Sequence, residues 1–213
     1  MAQNDGPFAG LERNHYAVIL ADPPWHFRSW ADNSTKGRWN GNEEKPVYTQ
    51  SRAPEYKTMS VDEIAALPVS EIAAPDCVLF LWGIWVNLPD ALRLIEAWGF
   101  TYKTCAFNWV KAEGRQVDMF RDDINGQLGL GYWVRQNSEF CLLATRGKPK
   151  RLKADVRQAI IEPRRQHSRK PDCCYGRIER LVAGPYIELF ARAKRPGWDS
   201  FGNEVGKYHE VKQ

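Results

Sequence analysis

The chain has 213 residues, 43% of them apolar and 26% charged, which fits one α/β domain with a buried core and excludes a disordered tail, a collagen-like chain or a coiled-coil rod. Its longest apolar run, VLFLWGIWV from Val78 to Val86, has nine residues, half of the roughly 18 to 20 that a spanning helix needs, so no membrane partner is expected. The formal charge of +4 is unevenly placed: ten Lys plus Arg against two Asp plus Glu between Thr145 and Lys170 give a local +8, while the rest, 20 against 24, sums to −4.

In chain order, the opening MAQNDGPFAG lacks the basic and apolar regions of an export signal, so a cytoplasmic protein is expected. Tyr16 to Ala21 (YAVILA) is an unbroken apolar run closed by Asp22 and two prolines, the pattern of a strand buried on both faces. Ser60 and Glu63 form a capping box with Met59 and Ile64 as a hydrophobic staple, which predicts a short helix stopped by Pro68. Val78 to Trp82 reads as a second buried strand. Leu88, Leu92 and Ile95 then recur at helical spacing until Gly99. Strands follow at Tyr102 to Val110 and Phe140 to Thr145, then a helix from about Pro171 to Val182 and a last strand, Tyr186 to Ala191. This alternation predicts a mostly parallel sheet flanked by helices, with ligands beyond the carboxyl ends of the strands.

Two polar stretches resist the scheme, at about 26–58 and 112–137. Both are longer than structureless connections usually are, and both carry aromatics, among them Trp30, Trp39, Tyr48, Tyr56, Tyr132 and Trp133. They read as surface excursions or as loops closing over a planar substrate. With no composition break elsewhere, residues 1–213 are expected to form one domain. The cysteines at 77, 105, 141, 173 and 174 lack zinc-ligand spacing, so no metal is expected, and the adjacent Cys173 and Cys174 read as buried packing residues. Concentrated basic charge on an otherwise acidic chain is the footprint of phosphate contact or simply a solvated loop.

Asp22-Pro23-Pro24-Trp25, at the end of the first strand, suits methyl transfer to an exocyclic amine. Conjugation into the ring makes such an amine a poor nucleophile. A site must therefore accept its protons and draw its lone pair out of the ring plane. Ionised Asp22 and a neighbouring backbone carbonyl are acceptors, the prolines stiffen the turn that holds them, and Trp25 offers an aromatic face to a base. The alternative is a rigid strand exit in which Asp22 merely caps a turn.

The strand and motif ILADPPW resemble the MT-A-70 family of S-adenosylmethionine-dependent adenine-N6 methyltransferases. YKTMSVDEI, VLFLW, FNWVK, EFCLLATRG, HSRKPDCCYGRIERL, IELFAR and WDSFGNE resemble further blocks of the family, in family order from Tyr16 to about Val205. The resemblance implies a Rossmann-like methyltransferase fold with permuted motif order, the catalytic strand first and the cofactor strand, Tyr186 to Ala191, last. Asp22, Trp82 and Arg192 would then share one sheet edge.

By the same resemblance Asp22, Pro23, Pro24 and Trp25 are catalytic, with Asp22 and Pro23 holding the amine beside the methyl donor. Trp25 and Tyr56 would flank the base and Trp82 would wall the pocket. Glu139 and Lys170 would lie near substrate and cofactor, and Arg192, Asn203 and Glu204 would hold the cofactor, S-adenosyl-L-methionine. Glu204 stands where eukaryotic catalytic subunits have an amide, and a carboxylate also accepts hydroxyl hydrogen bonds. The implied partner is nucleic acid, DNA ahead of RNA, with a catalytically silent nucleic-acid-binding subunit as the remaining reading and a monomer or dimer left open.

Overall fold

The computed structural model describes residues 6–25, 58–112, 133–134, 136–165 and 169–206. Tyr56 and most of the two long polar stretches lie outside them. Seven strands form one sheet: β1 (Tyr16–Ala21), β2 (Ala73–Gly83), β3 (Thr101–Lys111), β4 (Ser138–Arg146), β5 (Ala159–Glu162), β6 (Tyr186–Leu189) and β7 (Trp198–Phe201), in the order β5-β3-β4-β2-β1-β6-β7. Only β4 runs against the others: it pairs antiparallel with β2 and β3, while β1–β2, β1–β6, β3–β5 and β6–β7 are parallel. This is the mostly parallel, Rossmann-like α/β architecture expected.

Four α-helices accompany the described strands: α1 (Val61–Ala65), α2 (Val69–Ile72), α3 (Leu88–Ala97) and α4 (Cys173–Leu181). The capping box forms: Glu63 N–H donates to Ser60 Oγ at 3.2 Å, and Ser60 N–H to Glu63 Oε2 at 2.7 Å. Pro68 does more than stop a helix, because it is also the N-cap of α2. Helix α3 ends as Gly99 predicts. At φ +79° Gly99 lets its own N–H reach Glu96 O (3.0 Å) and that of Phe100 reach Ile95 O (2.9 Å), closing the orphan carbonyls in a Schellman motif.

The core has two layers, one on each face of the sheet. Period-two alternation sends Ile19, Ala21, Leu79, Leu81, Ile187 and Leu189 to the face covered by α1 and α3, where Ile64, Leu94 and Ile95 pack. It sends Val18, Leu20, Val78, Phe80, Trp82, Phe107, Trp109 and Cys141 to the opposite face, where Cys174 and Ile178 of α4 pack. Cys174 is buried as expected but Cys173 is only half-buried, because successive helical residues point in different directions; all five thiols are free.

Three elements were not foreseen. Strands β5 and β7 are four-residue edge strands, and α2 is one turn. Because β7 follows β6, the Tyr186 strand is not the last; it also ends at Leu189, short of Ala191. Among the described residues no helix is long and apolar enough to cross a membrane.

Candidate active site

Alternation also decides where the polar side chains go. Asp22 continues the Val18, Leu20 series, Glu139 the Cys141 series and Lys111 the Phe107, Trp109 series, so all three fall on the α4 face with Trp82. The carboxyl ends of β1, β2, β3 and β6 lie at one edge, and β4, running the other way, begins there. Lys170 arrives at the same edge just before α4. Residues far apart in sequence thus converge through strand direction and pleat alone.

The convergence is a buried ionic relay. Lys170 Nζ lies 2.8 Å from Asp22 Oδ2 and 3.3 Å from Glu139 Oε2, and Lys111 Nζ holds Glu139 Oε1 at 2.5 Å. Arg192 approaches Asp22 Oδ2 at 4.0 Å and donates from Nε to Glu204 Oε2 at 3.0 Å. Burial pushes Glu139 toward protonation, but Lys170 and Lys111 outweigh it and hold its carboxyl below the usual range. Burial likewise works against the Lys170 charge, and Asp22 and Glu139 more than restore it, so the ammonium is held charged.

Backbone geometry fixes the motif itself. Pro23 O accepts the Trp25 N–H at 2.8 Å, and Pro24 O accepts that of Met59 at 3.0 Å. Each carbonyl retains a second lone pair. Trp25 is buried, with Nε1 donating to Trp82 O at 3.2 Å, so the expected stacking face is also a strut between β1 and β2. Trp82 is 1% exposed and lies under Lys170 Nζ, 5.8 Å from the ring centroid; among the described residues its Nε1 finds no hydrogen-bond partner.

At the end of β6, Phe190 has φ +61°, an uncommon conformation for a bulky side chain, and the turn it makes redirects the chain ahead of Arg192. Gly202 is required next to it: a Cβ there would meet Ala191 N and O at 2.7 Å. Close approach of these two stretches is what brings Glu204 to Arg192. Asn203, beside Glu204, is exposed.

Three further residues belong here although their sequence context did not single them out. Lys111 anchors Glu139. Glu188, the one acid in the apolar strand β6, accepts the Tyr175 hydroxyl at 2.9 Å, and burial raises its carboxyl to about 7. Asp172 lies two residues from Lys170. A charge inside an otherwise apolar strand was the available signal for Glu188. A solvent-open cleft lined by Asp22, Lys170, Tyr175, Glu188, Phe190 and Arg192 among others runs along this edge.

The basic segment is divided by the fold. Strand β4 carries the chain from Glu139 to Arg146, roughly 23 Å at about 3.3 Å per residue, and Lys148 N–H is tied to Asp76 Oδ1 at the start of β2. Lys148, Lys150, Arg151 and Lys153 therefore lie at the edge opposite Asp22. Strand β5 then returns the chain, and Arg164, Arg165, Arg169 and Lys170 come back to the site edge.

A model of the MT-A70 family matches residues 16–204. The chain belongs to the MT-A70 family. It is 34% identical over 206 residues to the type II methyltransferase M.MunI of Mycoplasma sp, covering 94% of this chain and 82% of that protein. It is 31% identical to the N(6)-adenosine-methyltransferase MT-A70-like protein of Drosophila melanogaster over 89% of this chain and 27% of that one. Against the human N(6)-adenosine-methyltransferase catalytic subunit METTL3 the identity is 30%, over 91% and 29%. The chain thus spans most of its bacterial relative and less than a third of these animal ones. As an MT-A70 member it is a methyltransferase.

Proposed function

We propose that the chain transfers a methyl group from S-adenosyl-L-methionine to the exocyclic N6 amine of adenine in DNA, with residues 1–213 acting as one catalytic domain. The observation that carries this reading is the meeting of Asp22, the Pro23 carbonyl and Lys170 at one edge, beside the buried Trp25 and Trp82.

The donor set fits the cofactor. A zwitterionic amino-acid end suits a cleft offering the carboxylate of Asp22 beside the cations of Lys170 and Arg192, and a ribose diol suits the acceptor Glu204 and the amide of Asn203. When bound, S-adenosyl-L-methionine supplies an electrophilic methyl on a sulfonium. The protein prepares the other partner. Asp22 and the free lone pair of Pro23 O accept the hydrogens of the adenine amine, drawing its lone pair away from the ring. Lys170 and Lys111 keep Glu139 ionised, and Glu139 in turn shares Lys170 with Asp22, so Asp22 keeps an oxygen for the amine. Trp25 and Trp82, both buried, back the motif, the family resemblance gives Tyr56 to the base, and the base must leave its stack or come from a single strand to reach the cleft.

The choice of DNA rests on the type II methyltransferase relative of comparable length. Mass spectrometry of nucleosides, after incubation with the cofactor and mixed DNA and RNA oligonucleotides, tests it. N6-methyldeoxyadenosine is the expected product; N6-methyladenosine alone would move the substrate to RNA, and no methylated adenine at all would remove the proposal.

A further inference from the structure

Trp85 is 41% exposed and yet held in place. It opens a single 3-10 turn, Trp85–Asn87, just beyond the carboxyl end of β2, and the Asn87 N–H closes that turn on Ile84 O at 2.8 Å. Its indole Nε1 donates to Ser138 Oγ at 3.0 Å, and its ring stands edge-to-face with Phe140, centroids 5.2 Å apart and planes at 69°. Phe140 is fixed in turn. It pairs with Gly83 across the sheet, and a Cβ on Gly83 would meet the Phe140 ring at 2.7 Å, so the missing side chain is what lets Phe140 lie across β2 and prop the indole. Trp133, by contrast, is 96% exposed and leans on almost nothing.

A tryptophan often sits at a surface to keep its N–H wet. Here Nε1 is already bonded within the protein, so what water meets is apolar ring, with the exposed Val86 beside it. The ring's two side-chain torsions are set by Ser138 and Phe140, so a partner would cost it little further freedom. A rigid, flat π-surface fits another flat π-system better than it fits an irregular side chain.

Position selects which one. The directions of β2 and β4 put Trp85 and Ser138 at the edge that holds Asp22. Ser138 adjoins Glu139 of the relay, and Trp85 is three residues from Trp82, at most about 11 Å between Cα atoms. Phe140 belongs to the layer under α1 and α3, so the indole stands on the face opposite α4 and is not among the residues lining the cofactor cleft. Taking an adenine out of its stack leaves each neighbouring base bare on one side. With steps of about 3.4 Å along a stacked strand, the nearest of those bases lies within reach of a surface this close to the pocket. A protein partner seated on Trp85 would instead stand where the strand must enter.

We propose that Trp85 is a stacking platform for the nucleobase next to the target adenine, filling the place that the adenine leaves. The proposal rests on the adenine methyltransferase reading above and adds the residue that holds the strand in register with the pocket.

The test is binding of a DNA oligonucleotide with one target adenine to the full chain, with each neighbouring base replaced in turn by an abasic site. Wild type should lose affinity on the order of 10-fold at one position adjoining the adenine, the worth of one base–aromatic stack, and little elsewhere. Trp85→Ala should bind the intact oligonucleotide more weakly by a similar factor and lose nothing more at that position. Trp85→Phe keeps a flat ring without the bond to Ser138 and should recover most of the affinity; Trp85→Leu, apolar against Phe140 but not flat, should not. S-adenosyl-L-methionine affinity without DNA should stay within about twofold in all three variants. An abasic penalty that persists in Trp85→Ala, or Leu serving as well as Phe, would overturn the proposal. So would a wild-type dimer that Trp85→Ala dissolves with DNA affinity unchanged, which would give the surface to a second copy of the chain. If Trp85→Ala does not fold, Trp85→Leu, which refills the space against Phe140, carries the abasic comparison. Failure of wild type to methylate adenine would sink the function alone, since the abasic comparison is read from binding; failure to bind DNA at all would sink both.

Discussion

Both edges of the sheet are rich in cations, and they use them differently. At the Asp22 edge Lys111, Lys170 and Arg192 are 10% to 19% exposed and each lies against a carboxylate in one connected relay. At the opposite edge Lys148, Lys150, Arg151 and Lys153 are exposed, and the nearby Arg180 and Asp155 pair in open solvent with both side chains more than half exposed. Charge shared among buried partners fixes geometry, because losing one partner strands another. Charge in water fixes almost nothing, since an exposed pair is worth about 0 to 1 kcal/mol. Composition sees the two edges as one basic segment; the fold makes them a buried relay and a solvated border.

The contrast breaks most sharply at Asp22. Asp22→Ala should lower turnover by at least about 100-fold and leave the fold intact, read as methyl incorporation beside an unchanged circular dichroism spectrum. Near-normal turnover would show that something else holds the amine. Lys170→Met removes the cation shared by Asp22 and Glu139, and breaking a buried ionic set of this kind costs about 3 kcal/mol or more. Denaturant unfolding should show that loss, and a change under 1 kcal/mol would mean water already screens the relay.

A smaller effect separates the carboxylates by pH. The raised Glu188 carboxyl binds its proton more tightly folded than unfolded, so its contribution is full below about pH 4.5 and is lost as pH rises through about 7. Glu139 and Asp172, held low, contribute in the opposite sense, with stability present above their unfolded values and lost as pH falls. Glu188→Gln should therefore gain on wild type between pH 5 and pH 8 in unfolding free energy. A constant difference would place Glu188 in water. The smallest effect belongs to the far edge. Replacing Lys148, Lys150, Arg151 and Lys153 together by Ala should leave turnover within about twofold and stability within about 0.5 kcal/mol per site; a loss of turnover like that of Asp22→Ala would mean the two edges work together on one substrate.

The central strands were legible because they are buried on both faces, and an unbroken run such as YAVILA needs no context. Edge strands were not. AIIE of β5 buries only Ile160, and WDSF of β7 only Trp198, so neither leaves a pattern longer than a single residue. DPPW could be read as acceptors on a stiff turn, but the distance from Asp22 to Lys170, 148 positions along the chain, closes only through strand order, and its residues were reached by resemblance. Lys111 sat unnoticed at the end of FNWVK for the same reason: its partner Glu139 is a cross-strand neighbour, and only the antiparallel pairing of β3 with β4 makes it one.

That reversed strand has a further effect. Because β3 ends and β4 begins at the Asp22 edge, the stretch between them starts and finishes beside the cleft. The stretch after Trp25 does the same, since Trp25 and Met59 are bridged to each other. Both can lengthen or shorten without moving a strand, and doubling such a connection costs only about 0.6 kcal/mol in closure entropy. A lineage built on this scaffold can vary these two connections as separable cassettes while the relay beneath stays as it is.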